Sequence, residues 1–383
     1  MTSLTLSGIR LAGQPGAPLL ILGPSLGTSV TTLWSAVAAH LGDRFCVVGW
    51  DLPGHGTNPG GHSDFEIADL AKAVLALADE MGSPADSFAY AGDSVGGAVG
   101  LQLALDAGER LTHLVAVCTG AAIGTPDAWA ERAATVRRHG TESLLADAPG
   151  RWFTPGFIER HPELTARFVD GLSTVDDASY AQVCEALSRF DLRNELAAIT
   201  VPVLAIAGAH DAATPPENLE LIADSVQRGQ LHVIEDAAHL TPVERPEVVA
   251  ALMRRHLGAD RYNAGMAVRR AVLGDAYVDA ATANATDLTR EFQRYITEYA
   301  WGGIWTRPGL DRRSRSMITL TALIARGHHE ELAMHLRAAR TIGLTDDEIK
   351  EVIMQSAIYC GVPDANTAFR IAQRVLGDSE GPA

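Results

Sequence analysis

The sequence predicts two units in tandem, an α/β unit built on a parallel sheet with a helical insertion, then an all-α unit. Three observations carry this. Short apolar runs alternate with helix-period segments over residues 1–120. The strand signal vanishes over 122–195 and returns at 201–207. Beyond residue 258 every periodic segment has a helical repeat.

The elements follow in order. Leu19-Leu20-Ile21-Leu22 reads as a buried strand stopped by Gly23-Pro24, and 45–50 as a second, followed by the turn-rich Asp51-Leu52-Pro53-Gly54-His55-Gly56. Strands over 87–91 and 114–118 come next, with helices over 67–81 and 96–107. The insertion holds helices over 129–139, 141–145, 155–170 and 178–187. Strands return at 201–207 and 231–234, and a helix over 246–257 closes the unit. The polar segment 258–265 reads as a linker. Helices are then expected over 267–279, 285–299, 312–325, 330–341, 345–357 and 363–376, with Thr345 and Glu348 spaced as a capping box. The domains are therefore expected at 1–257 and 265–383.

Composition narrows the function classes. A chain of 383 residues exceeds one domain of roughly 100–200 residues. Apolar residues at 47 % and charged residues at 20 % exclude a disordered chain. Apolar runs fall far short of the roughly 20 residues that span a bilayer, and the start MTSLTLSGIRLAG has no signal-peptide pattern. These features predict a cytoplasmic protein without a membrane partner. Cys46, Cys118, Cys184 and Cys360 lie far apart, which argues against a disulfide scaffold, a zinc ribbon or a redox dithiol. A net charge of −16 disfavours nucleic acid. It is uneven, −15 over residues 1–257 and −1 over 258–383, and only Lys72 and Lys350 are lysine. The remaining cations are arginines, which can hold carboxylates through two hydrogen bonds.

The sharpest motif is Gly92-Asp93-Ser94-Val95-Gly96, a GxSxG between a strand and a helix. Alone it is a weak signal, equally a glycine-rich turn. A serine nucleophile also needs a base and an orienting carboxylate. Asp211 follows the strand at 201–207 and His239 the strand at 231–234, in the order Ser, Asp, His, each just past a strand. Asp236 is the second choice for the acid. His55 and His210 read as loop structure, Asp93 precedes the serine and could be mistaken for the nucleophile, and Arg132, Arg137, Arg138 and Arg151 of the insertion are candidates for a substrate carboxylate.

Residues 1–257 resemble an α/β-hydrolase with a helical cap at about 122–195. More narrowly, Gly23-Pro24-Ser25-Leu26-Gly27-Thr28 with Trp34, Asp51 to Gly56 and Gly92 to Gly97 resemble the 3-oxoadipate enol-lactonases. That resemblance implies Ser94, Asp211 and His239 as catalytic residues and an oxyanion hole from the backbone N–H groups of Leu26 and Val95.

In the helical unit, Glu331 and His335 stand at i and i+4, so they share a face, which by itself is more often a surface pair. Residues 265–383 resemble 4-carboxymuconolactone decarboxylase, of the alkylhydroperoxidase D-like superfamily. The resemblance rests on Trp301-Gly302, Trp305 to Leu310, Ser316 to Leu320 and Gly361-Val362-Pro363. Redox members carry Cys-x-x-Cys-x-x-x-His, where this chain has His328, Glu331 and His335. Acid–base chemistry remains, and the spacing is not a standard zinc motif. His335 is the expected acid, Glu331 its orienting partner and Arg315 a carboxylate or enolate clamp, though Arg312 and Arg313 adjoin it.

The two family reactions are consecutive steps of protocatechuate breakdown, the β-ketoadipate pathway. 4-Carboxymuconolactone loses CO₂ to give 3-oxoadipate enol-lactone, which water opens to 3-oxoadipate. The lactone carbonyl can take up the electrons left by CO₂, so no metal or other cofactor is expected. A bifunctional hydrolase and lyase acting on small lactones, homo-oligomeric through the helical unit, is the implied function. The rival is a carbon–carbon bond hydrolase or esterase joined to a helical oligomerisation module, since fold alone does not fix substrate.

Overall fold

A single sheet of seven strands organises the first unit, Met1–Leu257, in a computed structural model that describes residues 4–60, 64–82 and 87–377. The strands are β1 (Gly8–Ala12), β2 (Leu19–Gly23), β3 (Cys46–Trp50), β4 (Phe88–Asp93), β5 (Leu111–Val117), β6 (Val203–Gly208) and β7 (Gly229–Ile234), in spatial order β1-β3-β2-β4-β5-β6-β7. Among the described residues only β1 runs antiparallel, against β3. The central strands β3, β4 and β6 are buried at every position, which is why they read as continuous apolar runs. The edge strand β1 is short and half-exposed, with Arg10 inside it, so its sequence carried no strand signal.

Helices α1 (Val30–Ala39), α2 (Ile67–Met81), α3 (Val95–Asp106), α9 (Pro216–Ser225), α10 (Thr241–Glu244) and α11 (Pro246–His256) belong to the sheet. Helix α1, also additional to the expected order, is capped by Ser29, whose hydroxyl accepts from Thr32 N. The insertion between β5 and β6 holds α4 (Pro126–His139), α5 (Ala148–Trp152), α6 (Pro155–Arg160), α7 (Pro162–Ser173) and α8 (Asp177–Arg189). Phe153, Phe157 and Phe168 form its buried aromatic core, Phe153 meeting Phe168 edge-to-face at 5.4 Å between centroids.

The second unit, Gly258–Ala383, is helical where described: α12 (Ala259–Leu273), α13 (Asp275–Ala283), α14 (Asp287–Ile296), a π-helical stretch Thr297–Trp305, α15 (Arg312–Arg326), α16 (His329–Thr341), α17 (Asp346–Cys360) and α18 (Val362–Gly377). Leu320, Ile324, Leu332, Leu336, Ile349 and Ile353 lie in its main core. The expected linker at 258–265 is instead mostly helix. Gly258, at φ 77°, ends the preceding helix, and α12 begins at the next residue. The polar, turn-prone composition of the segment masked the helical period. Gly274, at φ 86°, splits the single helix expected over 267–279. The helix expected over 285–299 changes winding at Thr297. Gly265 and Gly302 explain the packing there. A Cβ on Gly265 would lie 2.1 Å from Thr297 O, and one on Gly302 2.0 Å from Arg261 O, so the two backbones touch where neither residue has a side chain.

Candidate active sites

The first site forms where β4 turns sharply into α3. Ser94 takes φ 53° and ψ −117°, a conformation that L-residues rarely adopt. The turn is possible because both motif glycines face backbone. A Cβ on Gly92 would sit 2.2 Å from Gly96 O, and one on Gly96 2.6 Å from Pro24 O. Gly96 N donates to Pro24 O at 2.9 Å, and Thr119 Oγ1 donates to Ser94 O at 2.6 Å, so the elbow is tied to two neighbouring strand ends.

The structure brings Asp211 and His239 together. His239 Nδ1 lies 2.8 Å from Asp211 Oδ2, and Ser94 and His239 line one cavity of about 610 Å³ with Ser25 and Leu26. Asp211 also accepts from Ala213 N at 2.8 Å, Thr214 N at 3.0 Å and Thr214 Oγ1 at 2.6 Å. Burial opposes the Asp211 charge, but His239 and the Thr214 bonds outweigh it and hold the carboxyl below its ordinary value. Burial likewise pushes His239 down, and Asp211 reverses this to leave the imidazole above its ordinary value. Asp236, the second choice for the acid, is ion-paired to Arg245 instead. Among the described residues neither Leu26 N–H nor Val95 N–H donates to a protein acceptor.

Three other residues settle into supporting roles. Asp93 is fully buried, and neither of its carboxyl oxygens has a protein partner by hydrogen-bond geometry. Burial pushes its pKa well up, which disfavours its charged form. His55 bonds Pro53 O through Nδ1 at 2.9 Å, and burial lowers its pKa to about 4, so it stays neutral. Asp51 accepts from Val30 N at 2.7 Å and Thr57 N at 2.9 Å, so the turn at 51–56 anchors the start of α1.

The cap separates the arginine candidates. Arg137 pairs with Glu185 and Arg138 is exposed, whereas Arg132 and Arg151 line the Ser94 cavity, and neither forms an ion pair among the described residues. Arg132 stacks over Trp129 and Tyr180, 5.6 and 5.7 Å from the ring centroids, and its Nε is buried without a partner. Arg151 is pushed below its ordinary value by burial and by Arg132. The cavity wall therefore presents two adjacent cations. Sequence reasoning missed Glu244. This buried carboxylate accepts from Thr154 N at 2.9 Å, Thr154 Oγ1 at 2.7 Å and Ala238 N, fastening the cap beside the residue before His239.

In the second unit a cavity of about 310 Å³ is lined by Arg269, Tyr277, Gln293, Trp301, Trp305, Thr319 and His335 among others. His335 Nδ1 is buried without a hydrogen-bond partner. Burial pushes its imidazole below the ordinary value, and Glu331 counters this in part. Two expectations need correction. Glu331 is exposed and makes no hydrogen bond to Nδ1, so it acts on the ring through space rather than by orienting it. Arg315 does not line the cavity; its Nε and Nη2 donate to Leu310 O at 3.2 Å and Arg307 O at 2.9 Å, because its place in the first turn of α15 aims it at the preceding loop. Its neighbour Arg313 binds Gly343 O and Glu348. His328 is exposed, and among the described residues no three His, Cys, Asp or Glu side chains cluster as a metal site. Arg269 is the cation that does reach the cavity. Its signal in the sequence was an arginine beside the apolar stripe of Gly265, Val268 and Val272.

Comparison with known proteins separates the same two units. Residues 18–246 match the alpha/beta hydrolase fold family, and residues 290–374 match the carboxymuconolactone decarboxylase family. The 3-oxoadipate enol-lactonase 2 of Acinetobacter baylyi is 36 % identical over 247 residues, covering 63 % of this chain and 91 % of the relative. The 4-carboxymuconolactone decarboxylase of the same organism is 43 % identical over 118 residues, covering 31 % of this chain and 88 % of the relative. Among solved structures, the enol-lactonase from Burkholderia xenovorans LB400 superimposes with a TM-score of 0.62 at 31 % identity, over 66 % of this chain and 96 % of that one. Among the described residues no helix is long and apolar enough to cross a membrane.

Proposed function

We propose, from the premise that this chain belongs to the alpha/beta hydrolase fold family and carries a carboxymuconolactone decarboxylase family domain behind it, that one polypeptide catalyses two consecutive reactions. The helical domain decarboxylates 4-carboxymuconolactone, and the hydrolase domain opens the resulting 3-oxoadipate enol-lactone to 3-oxoadipate. The observation that carries this reading is the Ser94, His239 and Asp211 constellation in an arginine-walled cavity, on the same chain as a separate histidine cavity. An ordinary esterase has no need of two unpaired cations facing its serine. A lactone bearing a carboxylate does.

In the hydrolase domain, His239 takes the Ser94 proton as Oγ attacks the lactone carbonyl, and Asp211 stabilises the imidazolium. The N–H groups of Leu26 and Val95 receive the oxyanion. The ring C–O bond breaks, the enolate leaves, takes the proton and becomes the ketone. Water then releases the acyl group by the reverse proton path. Arg132 and Arg151 hold the side-chain carboxylate. His239 accepts a proton only when neutral, and its pKa lies above 6.5, so kcat/KM falls as pH drops through a value above 6.5. Asp211→Asn removes the cause of that elevation. The acid limb of the pH–rate profile moves to lower pH, and the plateau falls by about 10⁴-fold.

In the helical domain, CO₂ departs and its bonding electrons pass through the ring alkene to the lactone carbonyl. His335 delivers the proton to carbon. Burial disfavours its charge, and an anionic substrate beside it restores that charge, so the acid is loaded when the substrate arrives. No cofactor takes part. The domain self-associates in this reading, supported by exposed Ile358 at 77 %, Tyr359 at 79 % and Val362 at 63 % on adjoining turns. A cytoplasmic location is supported by four free cysteines. Feeding 4-carboxymuconolactone to the whole protein and following CO₂ and 3-oxoadipate together tests the proposal. Both should appear in equal amounts. CO₂ without 3-oxoadipate beyond the spontaneous rate would remove the lactonase half, and absence of CO₂ the decarboxylase half.

A further inference from the structure

We propose that Arg269 is the anion-binding residue of the His335 cavity and takes the carboxylate that the substrate keeps when its other carboxylate leaves as CO₂. This rests on the decarboxylase reading above and adds a binding residue to it. Arg269 is 5 % exposed yet lines the same cavity as His335. Its protein partners are both neutral: Nη1 donates to Thr297 Oγ1 at 3.0 Å and Nη2 to Gln293 Oε1 at 2.8 Å. Its Nε is buried without a partner, and no carboxylate pairs with it among the described residues. A guanidinium has five N–H donors and stays charged in proteins. Burying that charge without a counter-ion is costly. A bridge between α12 and the turn at Gln293 and Thr297 could be made by a neutral donor, so the uncompensated charge points to a ligand that supplies the missing anion.

The chemistry decides which carboxylate. Decarboxylation requires electrons to leave the departing carboxylate for the ring, and a cation on that group would hold them back. The retained carboxylate stays anionic throughout, so a cation there binds substrate and intermediate alike. Such uniform binding appears in KM rather than kcat. Trp301 and Trp305, tilted against each other at 4.9 Å between ring centroids, give the cavity an apolar wall suited to the departing CO₂. The carboxylate is thus held by Arg269 while carbon is presented to His335.

The test uses the full chain. Arg269→Ala should raise KM for CO₂ release at least tenfold with a smaller change in kcat, and added guanidinium ion should restore part of the loss. Wild type should reject the substrate methylated on its retained carboxylate, and Arg269→Ala should lose that discrimination. Arg269→Lys, which keeps the charge without the fork, should fall between, and it serves as the readout if the alanine variant does not fold. A KM within twofold of wild type in a folded variant, or unchanged rejection of the ester, overturns the proposal. Failure of the decarboxylase reading is separable. If wild type releases no CO₂, calorimetric binding of adipate to the Arg132→Gln, Arg151→Gln double variant decides. Loss of that binding on adding Arg269→Ala supports the anion site, and unchanged binding overturns it.

Discussion

Ser94→Ala is expected to stop lactone opening while CO₂ release from 4-carboxymuconolactone continues. Serine triads lose about 10⁶-fold in kcat when the nucleophile is removed, so the observed floor will be spontaneous hydrolysis of the enol-lactone. The lactone should accumulate and be visible by its absorbance or by NMR. The substitution is sterically mild, because the elbow is held by backbone contacts at Gly92 and Gly96 and by the Thr119 hydroxyl on Ser94 O, not by the Ser94 hydroxyl. Direct attack by water assisted by His239 predicts a different outcome, a variant that retains substantial turnover. Loss of CO₂ release in a folded Ser94→Ala protein would mean that the two activities do not use separate sites.

His335→Gln is expected to cut decarboxylation by about 10²–10⁴-fold, the usual contribution of a positioned general acid, without affecting lactone opening. Glutamine keeps similar bulk and hydrogen-bonding capacity but cannot deliver the proton. Glu331→Gln should act more weakly. Glu331 raises the His335 pKa only through space, so its loss should shift the basic limb of the kcat/KM profile to lower pH. That limb lies below 6.5 for the free enzyme, since the acid must be protonated and its pKa is depressed. Dialysis against a chelator should leave wild-type CO₂ release unchanged. Near wild-type release by folded His335→Gln would remove the proposed acid, and recovery of chelated enzyme only on adding a metal would overturn the cofactor-free mechanism.

The hydrolase half was legible because its constraints are local. Two glycines flank Ser94 because backbone meets backbone there, and Asp211 and His239 betray themselves by following strands. The cap arginines were not separable in advance. All four lie on or beside helices, and only the packed phase of α4 sends Arg132 inward and Arg137 to Glu185. In the helical half the first misreading lies at the start of the unit. The polar, turn-prone composition of 258–265 looked like a linker, which put Arg269 in the opening turn of an expected helix and not in the buried part of a real one. Arg315 was selected from a dense basic segment, but a first-turn position aims a long side chain at the preceding loop. Glu331 and His335 do share a helix face, as spacing requires, yet a carboxylate that can reach water has little reason to desolvate beside a buried ring.

The contact between Gly265 and Gly302 bears on how the helical domain can be remodelled. Two main chains touch there, fixing how closely α12 meets the π-helical stretch, and both elements supply residues to the lining of the His335 cavity. Substrate range is therefore adjustable at Trp301, Trp305 or Met334, where smaller residues would open room while the frame holds. Alanine at either glycine would act as a wedge, parting α12 from the π-helical turn and carrying Arg269 away from His335. Libraries aimed at bulkier lactones should vary the aromatic wall and leave both glycines untouched.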